Sequence, residues 1–375
     1  MVQKKMLRNL DFIFIITIMV ILGLSLVVLS SANLTIPGDP TSFVKKQALW
    51  IVIGTIALIV VVSFDYNYIA KYDKYLYILN IVLLLIVLLM GSTNKGATRW
   101  IPLGFFDFQP SETAKVIIII TFAKFLALRQ GKLNSFMDLV PCFLFIGFPM
   151  LFILAQPDLG TSLVFIAIMF GMLFVAGANP KVLLLLITSG LVVISILLYA
   201  HFNFGLWLPL KDYQIMRLIV FIDPYIDELG SGYHMIQSLV AIGSGGLLGK
   251  GLYQGSQIQL RFLPEHHTDF IFSVIGEELG FIGGAFLLLA FFVLMYRAIK
   301  IALNAKDIFG TLIVIGVVSM LTFQVLVNVG MTIAITPITG LPLPFVSYGG
   351  SSMLTNMIAL GLVLNVNIRR QDLLF

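Results

Sequence analysis

The chain has 375 residues, 59% hydrophobic and 11% charged, with a formal net charge of +5 and a mean hydropathy of +1.04. A water-soluble domain carries roughly a quarter charged residues, so a water-exposed globule is excluded and the sequence reads as a membrane protein. Its apolar runs are continuous instead of short stretches of alternating polarity, which excludes a β-barrel and leaves a helical bundle.

In chain order the apolar runs give ten candidate spans: 11–31, 46–64, 75–91, 110–128, 139–155, 158–177, 181–202, 270–296, 308–332 and 344–368. Each is close to the roughly 20 residues that cross a bilayer. The first follows Lys4, Lys5 and Arg8 without a small-residue cleavage pattern, and is expected to stay in place as a signal anchor. With the N-terminus inside, fourteen lysines and arginines fall in the inner segments, against Lys45, Lys46, Lys95 and Arg99 in the short outer loops. Both termini are therefore expected in the cytoplasm. Topology accounts for the basic balance, and no nucleic-acid partner is implied.

Segment 203–269, between the seventh and eighth spans, falls outside and is the largest polar stretch. Within it, 235–252 is apolar but broken by Gly243, Gly245, Gly246, Gly249 and Gly251. It reads as an interfacial or re-entrant element, with glycines that let backbones approach closely. No repeat or linker divides the chain, so residues 1–375 are expected to form a single membrane domain. The one cysteine, Cys142, cannot form an intramolecular disulfide.

Two short sequences look alike, Gln109-Pro110-Ser111-Glu112 and Gln156-Pro157-Asp158. Each puts proline at a helix start and an acid in the first turn, which helix capping alone explains. Both acids also sit at the rim of a span, and Lys115 follows Glu112 at i+3 on the same face. An ion pair inside a bilayer needs a polar cavity or the bundle interior. Glu112 and Asp158 are therefore read as cavity-structural residues, and the Glu112–Lys115 pair as structural before reactive.

A third acid, Asp269, stands where the long outer loop enters the eighth span, so three carboxylates share the outer face. Capping remains an alternative for Asp269 as well. The adjacent His266 and His267 point apart in an extended loop, which argues against a metal site there. Arg99 and Trp100 lie outside the third span, where an interfacial anchor is the ordinary reading. The stretch from Gly340 to Ser352 carries glycines and hydroxyls, Ser347 among them, and such a stretch can cradle phosphate with backbone N–H groups.

Together, GATRWIPLG (96–104), FQPSETAK (108–115), QPDLGTS (156–162), GYHMIQSLVAIGSGGLLGKG (232–251), LPEHHTDFIFSVIGEELGFIG (263–283) and GLPLPFVSYGGSS (340–352) resemble the SEDS family, the RodA/FtsW group of bacterial cell-wall proteins. The resemblance covers nearly the whole chain. It implies ten transmembrane helices with a large extracytoplasmic loop between the seventh and eighth, in the bacterial cytoplasmic membrane. It also implies a peptidoglycan glycosyltransferase that polymerises lipid II into glycan strands beside a class B penicillin-binding protein. The family's essential loop aspartate falls on Asp269 and its outer-loop tryptophan on Trp100. Short tails and the stretch 253–262 resemble the RodA branch, implying cell elongation and shape maintenance with elongation-complex membrane proteins as partners.

In that chemistry a sugar hydroxyl attacks an anomeric carbon while a polyprenyl diphosphate leaves. A carboxylate that takes the hydroxyl proton contributes roughly 10²–10⁴ in rate, and Asp269 is the expected base. The leaving diphosphate needs positive charge. Arg99, Lys115, Arg217, Lys250 and Arg261 are the candidates on the outer side, and their spacing does not rank them. A divalent cation, magnesium or manganese, is a further possible source, with Glu112 and Asp158 as conceivable ligands. Two other functions fit buried acids in an apolar bundle: a flippase for the lipid-linked precursor, and a non-catalytic scaffold for the penicillin-binding protein.

Overall fold

A computed structural model describes residues 9–34, 41–94, 97–102, 104, 106–208, 210–227 and 230–370. Lys4, Lys5, Arg8, Lys95, Gly96 and Leu103 of the readings above lie outside the described residues. Asp11 opens α1 (Phe12–Ala32) by accepting from the Phe14 N–H at 3.0 Å. Next come α2 (Ser42–Ser63), two short helical turns, and α3 (Asp73–Met90). Three short antiparallel strands follow in the order β1 (Ser92–Asn94), β2 (Ala97–Pro102) and β3 (Asp107–Phe108). Beyond them run α4 (Pro110–Ala127), α5 (Phe136–Ala155), α6 (Leu159–Val175) and α7 (Pro180–Phe204). The long polar segment forms α8 (Asp212–Ile222) and α9 (Ser231–Gly245), and the chain closes with α10 (Ile271–Leu303), α11 (Ile308–Thr332) and α12 (Gly350–Ile368).

This is an all-α polytopic membrane protein. Each of the ten apolar runs coincides with a helix. Among the described residues, eight helices are long and apolar enough to cross a bilayer by length and composition. The other two runs are α4, which carries Glu112, Lys115 and Lys124, and α6, which is shorter at 17 residues. Both bury much of their surface against neighbours. Among those eight, α11 and α12 are the most enclosed, whereas α7 buries only Leu183. Helices that are apolar all round need lipid or protein on every side.

Two boundaries shift from the apolar runs. α12 begins at Gly350 and not near 344, because Pro342, Pro344 and the positive φ of Phe345 (64°) hold that stretch out of helix. α10 continues to Leu303, 33 residues in all. The sheet left no periodic signal, since its strands are two to six residues long, whereas α8 is amphipathic over its 11 residues and was passed over within the polar segment.

Segment 235–252 packs on α10 through close backbone contacts of the kind its glycines permit. Gly280 breaks that helix with φ 66° and ψ −164°, which frees backbone groups that a membrane protein must satisfy internally. The turn after α9 takes them up. Phe281 and Ile282 N–H donate to the carbonyls of Gly246 (2.9 Å) and Leu247 (3.1 Å), while Lys250 and Gly251 N–H donate to those of Glu277 and Glu278, each at 3.0 Å. A Cβ on Gly245 would lie 2.0 Å from the Gly276 carbonyl oxygen. Gly245→Ala is therefore expected to destabilise the chain by about 1–3 kcal/mol in detergent unfolding. Gly23→Ala, with nothing within 4 Å, is expected to be neutral or mildly stabilising.

Candidate functional site

Pro157 and Asp158 stand where α5 gives way to α6, and the acid caps the new helix. Its carboxylate accepts from Thr161 N–H at 3.2 Å and from Thr161 Oγ1 at 2.9 Å. Strand β2 brings Arg99 to the same point. The guanidinium lies 3.8 Å from Asp158 Oδ1, donates to the Gln156 carbonyl at 3.4 Å, and donates to the Pro157 carbonyl. From α8, Tyr213 O–H donates to that Pro157 carbonyl at 3.0 Å. One turn on, Arg217 stacks over the Tyr213 ring at 5.6 Å.

Arg217 links this group to Asp269. A Cβ added at Gly340 would sit 3.5 Å from Asp269 Oδ2 and 3.8 Å from Arg217 Nη1, ordinary contact distances, and it is the φ of +75° that calls for glycine. Burial lowers the proton affinity of the Arg217 guanidinium from its ordinary value, and the charge of Asp269 is the chief effect opposing it. Arg217 also feels Tyr213, Arg99 and Asp158. Two guanidiniums, two carboxylates and a phenol thus meet at one end of the bundle.

The backbone carrying Asp269 is irregular and is pinned residue by residue. The ring nitrogens of His266 lie 2.7 Å from the Leu263 carbonyl and 2.8 Å from the Ala32 carbonyl at the end of α1. Tyr348 N–H donates to His267 O at 3.0 Å, Ser347 Oγ to Thr268 O at 2.6 Å, and Asn328 Nδ2 of α11 to Asp269 O at 2.9 Å. The stretch 263–270 is therefore fixed by α1, α11 and the turn before α12.

Of the residues singled out by sequence, the structure brings Arg99, Asp158, Arg217 and Asp269 together, with Ser347 behind them as a staple and the half-buried Trp100 next to Arg99 on β2. The others lie apart. Lys115 is fully buried, 2.8 Å from Glu112 Oε1. Lys250 pairs with Glu277 at 2.7 Å and donates to Ser256, while Arg261 is exposed with φ 56°. Sequence reasoning missed Tyr213 and Asn328. The available signal for Asn328 was a polar side chain within an apolar span.

The donor set does not suit a resident divalent cation. Asp158 faces a guanidinium and Glu112 an ammonium, and among the described residues no three His, Cys, Asp or Glu side chains converge as ligands. The positive charge beside Asp158 and Asp269 is carried by Arg99 and Arg217.

The class is thereby defined: a multi-pass helical membrane protein with a carboxylate–guanidinium site at one end of its bundle. A family model described as "Cell cycle protein", covering FtsW, RodA and SpoVE, matches residues 9–372. The chain belongs to this family. It is 39% identical over 364 residues to stage V sporulation protein E of Bacillus subtilis, covering 95% of this chain and 96% of the relative. It is 37% identical over 369 residues to the peptidoglycan glycosyltransferase MrdB of Escherichia coli K12, covering 97% and 95%. It is also similar to a chain in a solved peptidoglycan synthase complex, at 31% identity and a TM-score of 0.81, covering 96% and 99%. Thermus thermophilus rod shape determining protein RodA aligns at 29% identity and a TM-score of 0.68, covering 96% and 98%.

The Glu112–Lys115 pair makes a stability prediction. Glu112 Oε2 is buried without a partner among the described residues, so Lys115→Met strands a buried charge and is expected to cost about 3–5 kcal/mol. Denaturation of the double variant Glu112→Leu/Lys115→Met is expected to show most of that recovered.

Proposed function

We propose that this chain is a peptidoglycan glycosyltransferase that polymerises lipid II at the outer face of the bacterial cytoplasmic membrane, with both termini in the cytoplasm. The observation that carries the reading is the meeting of Asp269 and Arg217 at the Gly340 turn. A base and a cation are held together where the chain parity puts the exterior. Relatives named as peptidoglycan glycosyltransferases, the MrdB protein and an FtsW protein of Geobacter that is 40% identical over 334 residues, support it.

The chemistry follows from those groups. The acceptor sugar 4-hydroxyl oxygen bonds to the donor anomeric carbon as the bond from that carbon to the diphosphate oxygen breaks. The hydroxyl proton passes to the Asp269 carboxylate, and the electron pair leaves with the undecaprenyl diphosphate. Arg217 and Arg99 stabilise the charge that grows on the diphosphate, and Asp158 with the Pro157 carbonyl orients Arg99 for this. The Trp100 ring, beside Arg99, offers a face for a sugar. A single displacement inverts an α-linked donor to a β-linked product, with no need for a second carboxylate as nucleophile.

The chain is further proposed to work in cell elongation, on the resemblance of 253–262 to the RodA branch, and with a class B penicillin-binding protein. The similarity to a chain of a synthase complex concerned with polymerization and crosslinking supports the partner.

Purified chain in detergent with fluorescent lipid II is expected to make glycan polymer. Asp269→Asn is expected to slow it by about 10²–10⁴, and Arg217→Gln to slow it as well while the protein stays folded. A flippase or a scaffold makes no polymer in this assay. Undiminished polymerisation by Asp269→Asn would remove the assigned base.

A further inference from the structure

We infer that Asn328 is a positioning residue for Asp269, acting through the backbone on both sides of the site; this rests on the glycosyltransferase reading above. Asn328 lies on α11, has no exposed surface and touches no solvent. Its amide nitrogen has two hydrogens and two acceptors: the Asp269 carbonyl at 2.9 Å and the Leu341 carbonyl at 2.7 Å. Because both neighbours are acceptors, only Nδ2 can face them, which settles the orientation of the amide.

The two carbonyls belong to the two pieces of backbone that the site must hold in register. One carries Asp269. The other follows Gly340, where an added Cβ would lie 3.5 Å from Asp269 Oδ2 and 3.8 Å from Arg217 Nη1. A single side chain therefore sets the spacing between the acid and the turn against which acid and guanidinium are placed. Ser347 and Tyr348 hold the neighbouring residues Thr268 and His267, but neither bridges Asp269 to the Gly340 turn.

The arrangement leaves Asn328 Oδ1 buried without a hydrogen-bond partner among the described residues. Such an orphan acceptor is unfavourable, and a residue chosen for packing alone would not bear it. The two donated bonds account for an amide at this position, since leucine of similar volume would fill the same space without them.

The role separates from a merely structural one by where the loss appears. A shift of about 1 Å in a reacting group costs on the order of 10²-fold in rate, while pockets for lipid II that do not include Asn328 keep their affinity. Asn328→Asp keeps the shape but removes both donors and points oxygen at two carbonyls. Asn328→Ser keeps one donor. In full-length protein in detergent, with rates normalised to the fraction that binds lipid II, kcat is expected to fall by about 10²-fold for Asn328→Asp and about 10-fold for Asn328→Ser. KM is expected to stay within about twofold in both.

A binding-competent Asn328→Asp protein with wild-type kcat overturns the inference, as does a loss that lies in KM. If neither variant binds lipid II, Asn328 holds the fold and the positioning role falls. A wild-type chain that binds lipid II without polymerising it overturns the functional reading, and this inference with it.

Discussion

Everything at the end of the bundle that carries Asp269 depends on satisfying irregular backbone at the edge of a bilayer. Between Leu263 and Phe270 the chain is not helical, so its carbonyls need donors from elsewhere, and each exposed to hydrocarbon without one would cost several kcal/mol. The donors come from a serine and a backbone N–H before α12, from an asparagine on α11, and from a histidine that reaches the end of α1. Parts of the chain far apart in sequence are thereby made to converge on one short segment. The carboxylate of Asp269 inherits its position from bonds made by its neighbours' main chain.

The charges obey the same economy. Arg99 is steadied by a carboxylate and two carbonyls, and Arg217 by a ring and by Asp269. Inside the bundle, Lys115 pairs with Glu112 Oε1, and among the described residues Glu112 Oε2 has no partner. The two settings differ in consequence: a buried pair stabilises while intact and gains little over apolar packing, whereas the proposed chemistry asks Arg99 and Arg217 to exchange partners with a diphosphate.

Much of this was legible in the sequence, and the reasons are physical. The spans were readable because lipid demands long apolar runs, and all ten runs proved helical. The glycines at 243–251 announced close backbone contact, since little else explains so many in an apolar stretch. Arg217 and Asp269 could be named from charge and topology, but their meeting could not, because it requires α8 to fold back over the start of α10. The strand character of Arg99 was hidden in a sheet too short to alternate. Asn328 was hidden among apolar neighbours, its importance set by two carbonyls that no pattern of residues reveals.

The break at Gly280 has a mechanical consequence. Residues on both sides of it, Glu277 and Glu278 before and Phe281 and Ile282 after, are bonded to the turn after α9, and the helix then runs on to Leu303. The interruption is therefore a splice and not a free hinge. The start of the helix that follows Asp269 is thereby clamped to α9 across the interruption, so that neither shifts without the other.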